Sequence, residues 1–424
     1  MSVFAKSSRS RKAVVGGIAL LGATALALSG CSSTPEEAPE ESAGPIEDYT
    51  LTLGTALPQT GNLAFLGPPE EAGVAYAASL INEASADTGL TLEVVFGDSG
   101  DTDNKAYETE IPRLLEAGVA GIVGAASSGV SLQFIDQVVG AGVIQFSPAN
   151  TSDAFTTYED NDLYFRTAPS DTLQGEVLGN LIAEDGNQTL GIINLNDAYG
   201  NGLAQYTTEA FEAAGGEVVS TQQYNTGDTN FDAQISATLA ADPDAIALIT
   251  FDEVATILPG LFGQFPSDKL YFVDGNLKNF GDTFAAGSLT GAKGTLPGLS
   301  IDAISDFTGE LDAFLEAEGD AALEDYSYAA ESFDAVTLMA LASLAAGGAT
   351  DGETIAASLQ EVSGGTGDGE KCTTFAECAE IILGGGTADY DGISGPITFD
   401  EVGDPTEASI GIYQYGEDNN YAAY

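Results

Sequence analysis

Sixty-five carboxylates, three cysteines and not one histidine are the groups with which this 424-residue chain can do chemistry. Without histidine there is no Ser-His-Asp or Cys-His nucleophile, no histidine-based zinc site and no metalloprotease helix signature. The chain holds no Gly-x-Ser-x-Gly elbow and no Gly-x-x-x-x-Gly-Lys-[Ser/Thr] phosphate loop. Gly-Ala-Ala-Ser-Ser-Gly at 124–129 is a glycine-flanked turn without dinucleotide-binding spacing. With so many acids, pairs at glycosidase separation arise by chance and carry no signal. Neither catalysis nor a cofactor is expected. Asp98, Asp101, Asp103 and Asn104 sit in a Ser/Gly/Thr-rich run, but the glycine and terminal glutamate of a calcium loop are not in place. A turn leading to a capped helix is expected there instead.

The cysteines separate into one and two. Cys31 follows Lys6, Arg9, Arg11 and Lys12, then an apolar stretch over 13–28. That is a secretory leader, too short and small-residued for a membrane span. Its Leu-Ser-Gly-Cys ending resembles the bacterial lipoprotein processing site, which implies cleavage before Cys31 and a diacylglycerol thioether on it. Two or more acyl chains make a stable anchor where one is marginal. Cys372 and Cys378 remain as an even pair in an exported chain, where a disulfide closing a short loop is expected. A metal site would need a third thiol or a histidine nearby. A redox pair more often has two intervening residues, not five.

Losing the four leader cations takes the formal charge from −54 to −58. Such a surface repels nucleic acid and anionic headgroups, so neither is an expected partner beyond the anchor itself. Residues 32–48, rich in Pro, Glu and Ser, cannot bury enough apolar surface to order themselves. They read as a tether holding the body roughly 20–30 Å from the membrane.

Past the tether, apolar runs alternate with helical spacing. Runs at 51–57, 90–96, 120–124 and 143–146 read as buried strands. Val74, Ala77, Ala78 and Ile81, then Tyr107, Ile111, Leu114 and Leu115, mark helices between them. The pattern restarts with strands at 190–195, 217–220, 245–249 and 271–273. This is βαβ alternation with a parallel sheet, twice over. The stretch 300–384 reads as helix, including 328–344, and β character returns at 396–399 and 408–413.

Several segments, taken in order, resemble the type I periplasmic-binding-protein fold of branched-chain amino acid (Leu/Ile/Val-type) substrate-binding lipoproteins of ABC importers. They are Leu-Pro-Gln-Thr-Gly-Asn-Leu-Ala-Phe-Leu-Gly-Pro-Pro at 57–69, Gly-Ile-Val-Gly-Ala-Ala-Ser-Ser at 121–128 and Phe-Ser-Pro-Ala-Asn-Thr at 146–151. Phe-Arg-Thr-Ala-Pro at 165–169, Asp-Ala-Tyr-Gly-Asn-Gly-Leu at 197–203 and Tyr-Asp-Gly-Ile-Ser-Gly-Pro-Ile-Thr-Phe at 390–399 continue the match. The resemblance implies two Rossmann-like lobes with parallel-rich sheets, joined by three crossovers near 166–170, 296–300 and 394–398. Lobe one is then 49–167 plus 299–394, and lobe two 168–297 plus 397–424. The ligand belongs in the cleft at the carboxyl ends of the strands, with hinge closure around it.

An α-amino acid needs donors for its carboxylate and acceptors for its ammonium. Ser127 and Ser128, between a strand and a helix, offer hydroxyls and amides to an anion, although N-capping alone would also explain a serine there. Ser128 aligns with the family's carboxylate-binding serine. Ala149 and Thr151 would contact the same ligand by resemblance, and Tyr199 would face it from lobe two. Asp274, in Asp-Gly-Asn after a strand, sits where the family carries the acid that pairs with the ammonium, though Asp-Gly is also a common turn. Phe251 is the candidate aromatic, with the register around 250–253 open, and Leu66 a candidate wall for an apolar side chain.

The leading expectation is a solute-binding lipoprotein that captures a small amino acid-like ligand for ABC permease subunits. Alternatives are a sensor of the same fold, a binder of amides or urea-like compounds, and an extracellular hydrolase working from acids alone. Neither metal nor nucleic acid is expected.

Overall fold

The computed structural model describes residues 46–367 and 369–424. The leader, Cys31 and the tether before residue 46 lie outside the described residues. β1 (Tyr49–Ala56) is apolar on both faces where it matters, with Leu51, Leu53 and Ala56 buried. That pattern suits a strand covered on both sides by helices. α1 (Gly67–Glu83) and the short α2 (Ser85–Thr88) lead to β2 (Leu90–Val95), then α3 (Tyr107–Glu116), β3 (Gly121–Gly124), α4 (Ser128–Val139), β4 (Ile144–Ser147) and β5 (Tyr164–Arg166). These strands form one parallel sheet in the order β2-β1-β3-β4-β5.

The chain then crosses to a second lobe: α5 (Asp171–Glu184), β6 (Thr189–Leu195), α6 (Ala198–Ala213), β7 (Glu217–Tyr224), α7 (Asp232–Ala240), β8 (Ala245–Ile249), α8 (Val254–Leu261), β9 (Leu270–Phe272) and β10 (Lys293–Pro297). It returns as α9 (Ser305–Glu318), α10 (Ala329–Ala345), α11 (Gly352–Val362), β11 (Glu370–Cys372), α12 (Phe375–Leu383), β12 (Ala388–Gly392) and β13 (Gly395–Pro396). β14 (Ile410–Tyr415) and β15 (Tyr421–Ala423) close the second sheet, ordered β15-β14-β10-β9-β8-β6-β7. In that sheet β7-β6-β8-β9-β10 repeats the order of the first sheet. Each lobe therefore has a switch point, between β1 and β3 and between β6 and β8, where loops splay apart and leave a crevice.

Three passages join the lobes. At the first, the fully buried Arg166 forks onto Asp404, with Nε at 2.5 Å from Oδ1 and Nη2 at 2.8 Å from Oδ2. At the second, Gly298 has φ +97°, and a Cβ there would lie 2.2 Å from a Glu331 carboxylate oxygen. The third is longer than its Pro/Gly-rich start suggests. Ile397 and Phe399 stay in the first lobe's core, and the chain rejoins the second sheet at β14.

The helix read as starting at Tyr328 begins one residue later. Tyr328 takes a left-handed conformation, φ 61° and ψ 10°, and serves as the N-cap residue of α10. Cys372 and Cys378 are bonded, with Cα atoms 5.4 Å apart. Among the described residues, no helix is long and apolar enough to cross a membrane, and no cluster of acids or thiols is arranged to hold a metal.

Candidate ligand-binding site

The loop after β3 is fixed by backbone geometry before any side chain acts. Gly124 has φ +125°, and a Cβ there would stand 2.2 Å from the Ala56 carbonyl. Glycine is what lets the chain turn this tightly against β1. The loop is then stitched to the one after β4. Ser147 Oγ donates to the Ala125 carbonyl at 2.7 Å, and Asn150 Nδ2 donates to the carbonyls of Ala125 and Ala126 at 2.9 and 2.8 Å. Arg166 holds the far side of that second loop, donating to the Ser152 carbonyl at 2.7 Å.

This frame places Ser127, Ser128 and Ala149 together. Ser127 caps α4, its Oγ accepting from the Val130 N–H at 3.3 Å. Ser128 Oγ accepts from the Ser152 N–H at 3.3 Å. The N-terminal amides of α4 thus face the cleft, where a helix end favours negative charge.

The second lobe answers with an acid. Asp274 follows β9 in a turn held by Asn276, whose Oδ1 accepts from the Val273 N–H at 3.0 Å. The Asp274 carboxylate is buried and accepts three hydrogen bonds. Tyr199 OH and Gln174 Nε2 donate to Oδ1 at 2.7 and 3.0 Å, and Tyr328 OH donates to Oδ2 at 2.8 Å. Burial pushes its pKa up, while these three donors oppose the rise. Burial and the neighbouring Asp274 charge push both tyrosine hydroxyls well above their ordinary range, so they stay protonated donors.

Tyr199 owes its position to the start of α6. Asp197 caps that helix through Oδ1, accepting from the Gly200 N–H at 2.8 Å. Gly200 packs so close to β6 that a Cβ would lie 2.1 Å from the Leu195 carbonyl. The Tyr199 ring stacks on Phe251, centroids 5.2 Å apart at 17°.

Leu66, Ser127, Ser128, Ala149, Tyr199, Phe251 and Asp274 line one narrow cavity of about 10 Å³ between the lobes, room for about one water, together with Leu63, Ala126, Gly275 and Tyr328. Thr151 does not line it. Its hydroxyl is buried two residues beyond Ala149 and has no hydrogen-bond partner among the described residues. Sequence reasoning missed Tyr328, Leu63 and Gln174. Leu63 lies in the quoted 57–69 segment, so its neighbour Leu66 was the available signal.

The lobes are closed on each other. Leu63, Leu66, Ala126 and Ala149 pack into the core of the second lobe. Ser152 Oγ donates to the Ala198 carbonyl at 3.3 Å, Asn62 Nδ2 donates to Glu253 at 3.0 Å, and Tyr206 bonds Asp153. Chemically, the cavity offers anion-binding amides and hydroxyls from one lobe, a desolvated carboxylate from the other, and apolar walls.

Residues 50–377 match the periplasmic binding protein family. A leucine-, isoleucine-, valine-, threonine- and alanine-binding protein of Pseudomonas aeruginosa is 31% identical over 188 residues, 44% of this chain and 50% of that one. The chain thus spans about half the length of the first curated relatives it matches. A chemotactic signal transduction system substrate-binding protein of Halobacterium salinarum is 23% identical over 361 residues, covering 82% of this chain and 83% of that one. The structure of the branched-chain amino acid transporter substrate binding protein LivJ from Streptococcus pneumoniae, in complex with isoleucine, superposes with a TM-score of 0.69 at 21% identity. It covers 89% of this chain and all of that one, and shows that the two share a fold. The homologues and the fold are those of solute-binding proteins, not enzymes. The chain belongs to the periplasmic binding protein family.

Proposed function

We propose that this chain is an exported, lipid-anchored receptor that captures a small zwitterionic amino acid between its lobes and hands it to an ABC importer. Family membership implies an extracytoplasmic protein. The observation that carries the ligand class is the pairing of opposites across the cavity. Asp274 stands on the second lobe and the hydroxyl- and amide-bearing start of α4 on the first. A desolvated carboxylate opposite an ammonium makes a charge-assisted bond, and the helix end suits a carboxylate. Leu63, Leu66 and Phe251 favour an aliphatic side chain, in keeping with what the Pseudomonas relative's name says it binds. In this reading Ser127, Ser128 and Ala149 meet the ligand from one lobe, Tyr199 and Asp274 from the other.

A thermal-shift screen tests the ligand class. Leucine, isoleucine, valine, threonine, alanine, short amides and urea are each added at high excess. A ligand at a hundred times its Kd adds about 2.7 kcal/mol, a shift of a few degrees. A shift with amides or urea and none with amino acids would reject the zwitterion. Acyl labelling that disappears in Cys31→Ser tests the anchor.

A second reading, a sensor that reports occupancy to a signalling partner, draws support from the likeness to the chemotactic protein. Uptake of labelled ligand by cells lacking this chain separates the two. Uptake falls for an importer component and persists for a sensor.

A further inference from the structure

α6 turns one face to the first lobe. Ala198, Gly202 and Tyr206 follow one another along it at helical spacing. The Ala198 carbonyl accepts from Ser152 Oγ, Tyr206 OH bonds Asp153, and a Cβ on Gly202 would meet Asp153 Oδ1 at 3.4 Å, an ordinary contact. At the start of this face the fit is closer. Gly129, in the first turn of α4, stands against Asp197, the N-cap residue of α6. A Cβ on Gly129 would lie 2.7 Å from Asp197 Oδ2, 3.5 Å from its Cγ and 3.6 Å from its Cβ. Unbonded carbon atoms rest about 3.5–4.0 Å apart, so an oxygen this near leaves no room for a methyl group.

The carboxylate does not swing aside freely. Its Oδ1 accepts from the Gly200 N–H at 2.8 Å, and moving it uncaps α6. Nor does α4 ask for glycine at this position. Gly129 has a helical backbone, where alanine is the better residue. The glycine answers to the other lobe.

Neither Gly129 nor Asp197 lines the cavity, but Ser128 and Tyr199 beside them do. The separation of Gly129 from Asp197 is therefore passed on to both cavity walls. With this pair in contact the cavity is narrow, with room for about one water. A solute with a small side chain touches both walls only when the lobes are nearly this close. A bulky one holds them further apart.

We propose that the Gly129–Asp197 contact is the stop that ends closure, and that these two positioning residues set the smallest side chain the cleft grips well. This rests on the amino-acid reading above and deepens it from a ligand class to a size limit.

The test is calorimetric. Glycine, alanine, valine and leucine are titrated into the parent chain, Gly129→Ala, Gly202→Ala, Asp197→Ser and the Gly129→Ala/Asp197→Ser double variant. Gly129→Ala is expected to weaken the smallest amino acid the parent binds about tenfold, as overpacking a closed contact does, and each larger one less. Serine still caps a helix and is shorter, so in the Asp197→Ser background Gly129→Ala costs no affinity. Gly202→Ala, on the same face but with room for its methyl group, leaves the order of affinities as it is. The free Gly129→Ala chain melts no lower than the parent, since alanine suits the helix. Equal losses for small and large side chains, a loss that persists in the Asp197→Ser background, or an equal loss in Gly202→Ala would overturn the proposal. So would a Gly129→Ala chain that fails to fold, because the glycine would then serve its own lobe. If the parent binds none of the four amino acids, the amino-acid reading falls and takes this inference with it. If the parent binds one or more and the affinities ignore residue 129, this inference alone falls.

Discussion

The hydroxyl of Tyr328 reaches Oδ2 of Asp274 at 2.8 Å, joining a residue that precedes the first lobe's central helix to the acid of the second lobe. Tyr328 holds this position from a left-handed backbone conformation, rare for a residue with a large side chain. A strained residue pinned at a cleft is a natural place for closure and ligand binding to be coupled. Tyr328→Phe keeps the ring and removes the donor. Hydrogen bonds to charged groups contribute about 1.5–3 kcal/mol, so the variant should bind its amino acid about tenfold more weakly or worse, measured by titration calorimetry. Unchanged affinity would mean that Tyr328 is packing only.

Gly124 sets the turn that presents Ser127 and Ser128. With φ +125° and the Ala56 carbonyl 2.2 Å from where a Cβ would stand, alanine has no room there. Gly124→Ala should destabilise the fold by about 2–4 kcal/mol in denaturant titration, with weakened binding in whatever folds.

Glu331 gives a pH test. It sits fully buried at the start of α10 beside the second passage, and burial first, with the Asp334 charge, pushes its carboxyl up to about 8. Its ordinary value is 4.5. The folded chain therefore keeps a proton that the unfolded chain releases near pH 4.5. The residue's contribution to stability falls as pH rises from about 4.5 to about 8 and is level above that. Glu331→Gln should raise stability at pH 8 by a few kcal/mol and flatten the fall across this window. A variant whose melting curve tracks the parent's at every pH would contradict the assignment.

The Cys372–Cys378 bond closes a short loop on the first lobe. A loop that small restricts the unfolded chain modestly, on the order of 2 kcal/mol. Cys372→Ser/Cys378→Ser should lower Tm by a few degrees and leave ligand affinity as it was, since neither residue lines the cavity.

What the sequence makes legible follows from how local each signal is. Alternating strand and helix patterns announce themselves in windows of ten residues, so both sheets and most helices can be read off. Tyr199 and Asp274 can be named because each sits in a short motif, just after a strand, that resembles the family's. Tyr328 and Gln174 cannot, because what makes them matter is a contact to Asp274 across 54 and 100 residues. In the sequence Tyr328 looks like the first turn of an apolar helix, and only the hydrogen bond to Asp274 shows that it belongs to the cleft. The order of the second sheet, with β14 and β15 added at its edge, is likewise a matter of long-range pairing.

The most direct measurement titrates the five amino acids and the des-amino analogue of the tightest binder into the parent chain and Asp274→Asn. The account predicts tight binding of an aliphatic amino acid by the parent, little binding of the analogue, and a loss of at least a hundredfold for the amino acid in Asp274→Asn, about 2.7 kcal/mol. Equal affinity of parent and Asp274→Asn for the amino acid, or parent affinity for the des-amino analogue as high as for the amino acid itself, would contradict it.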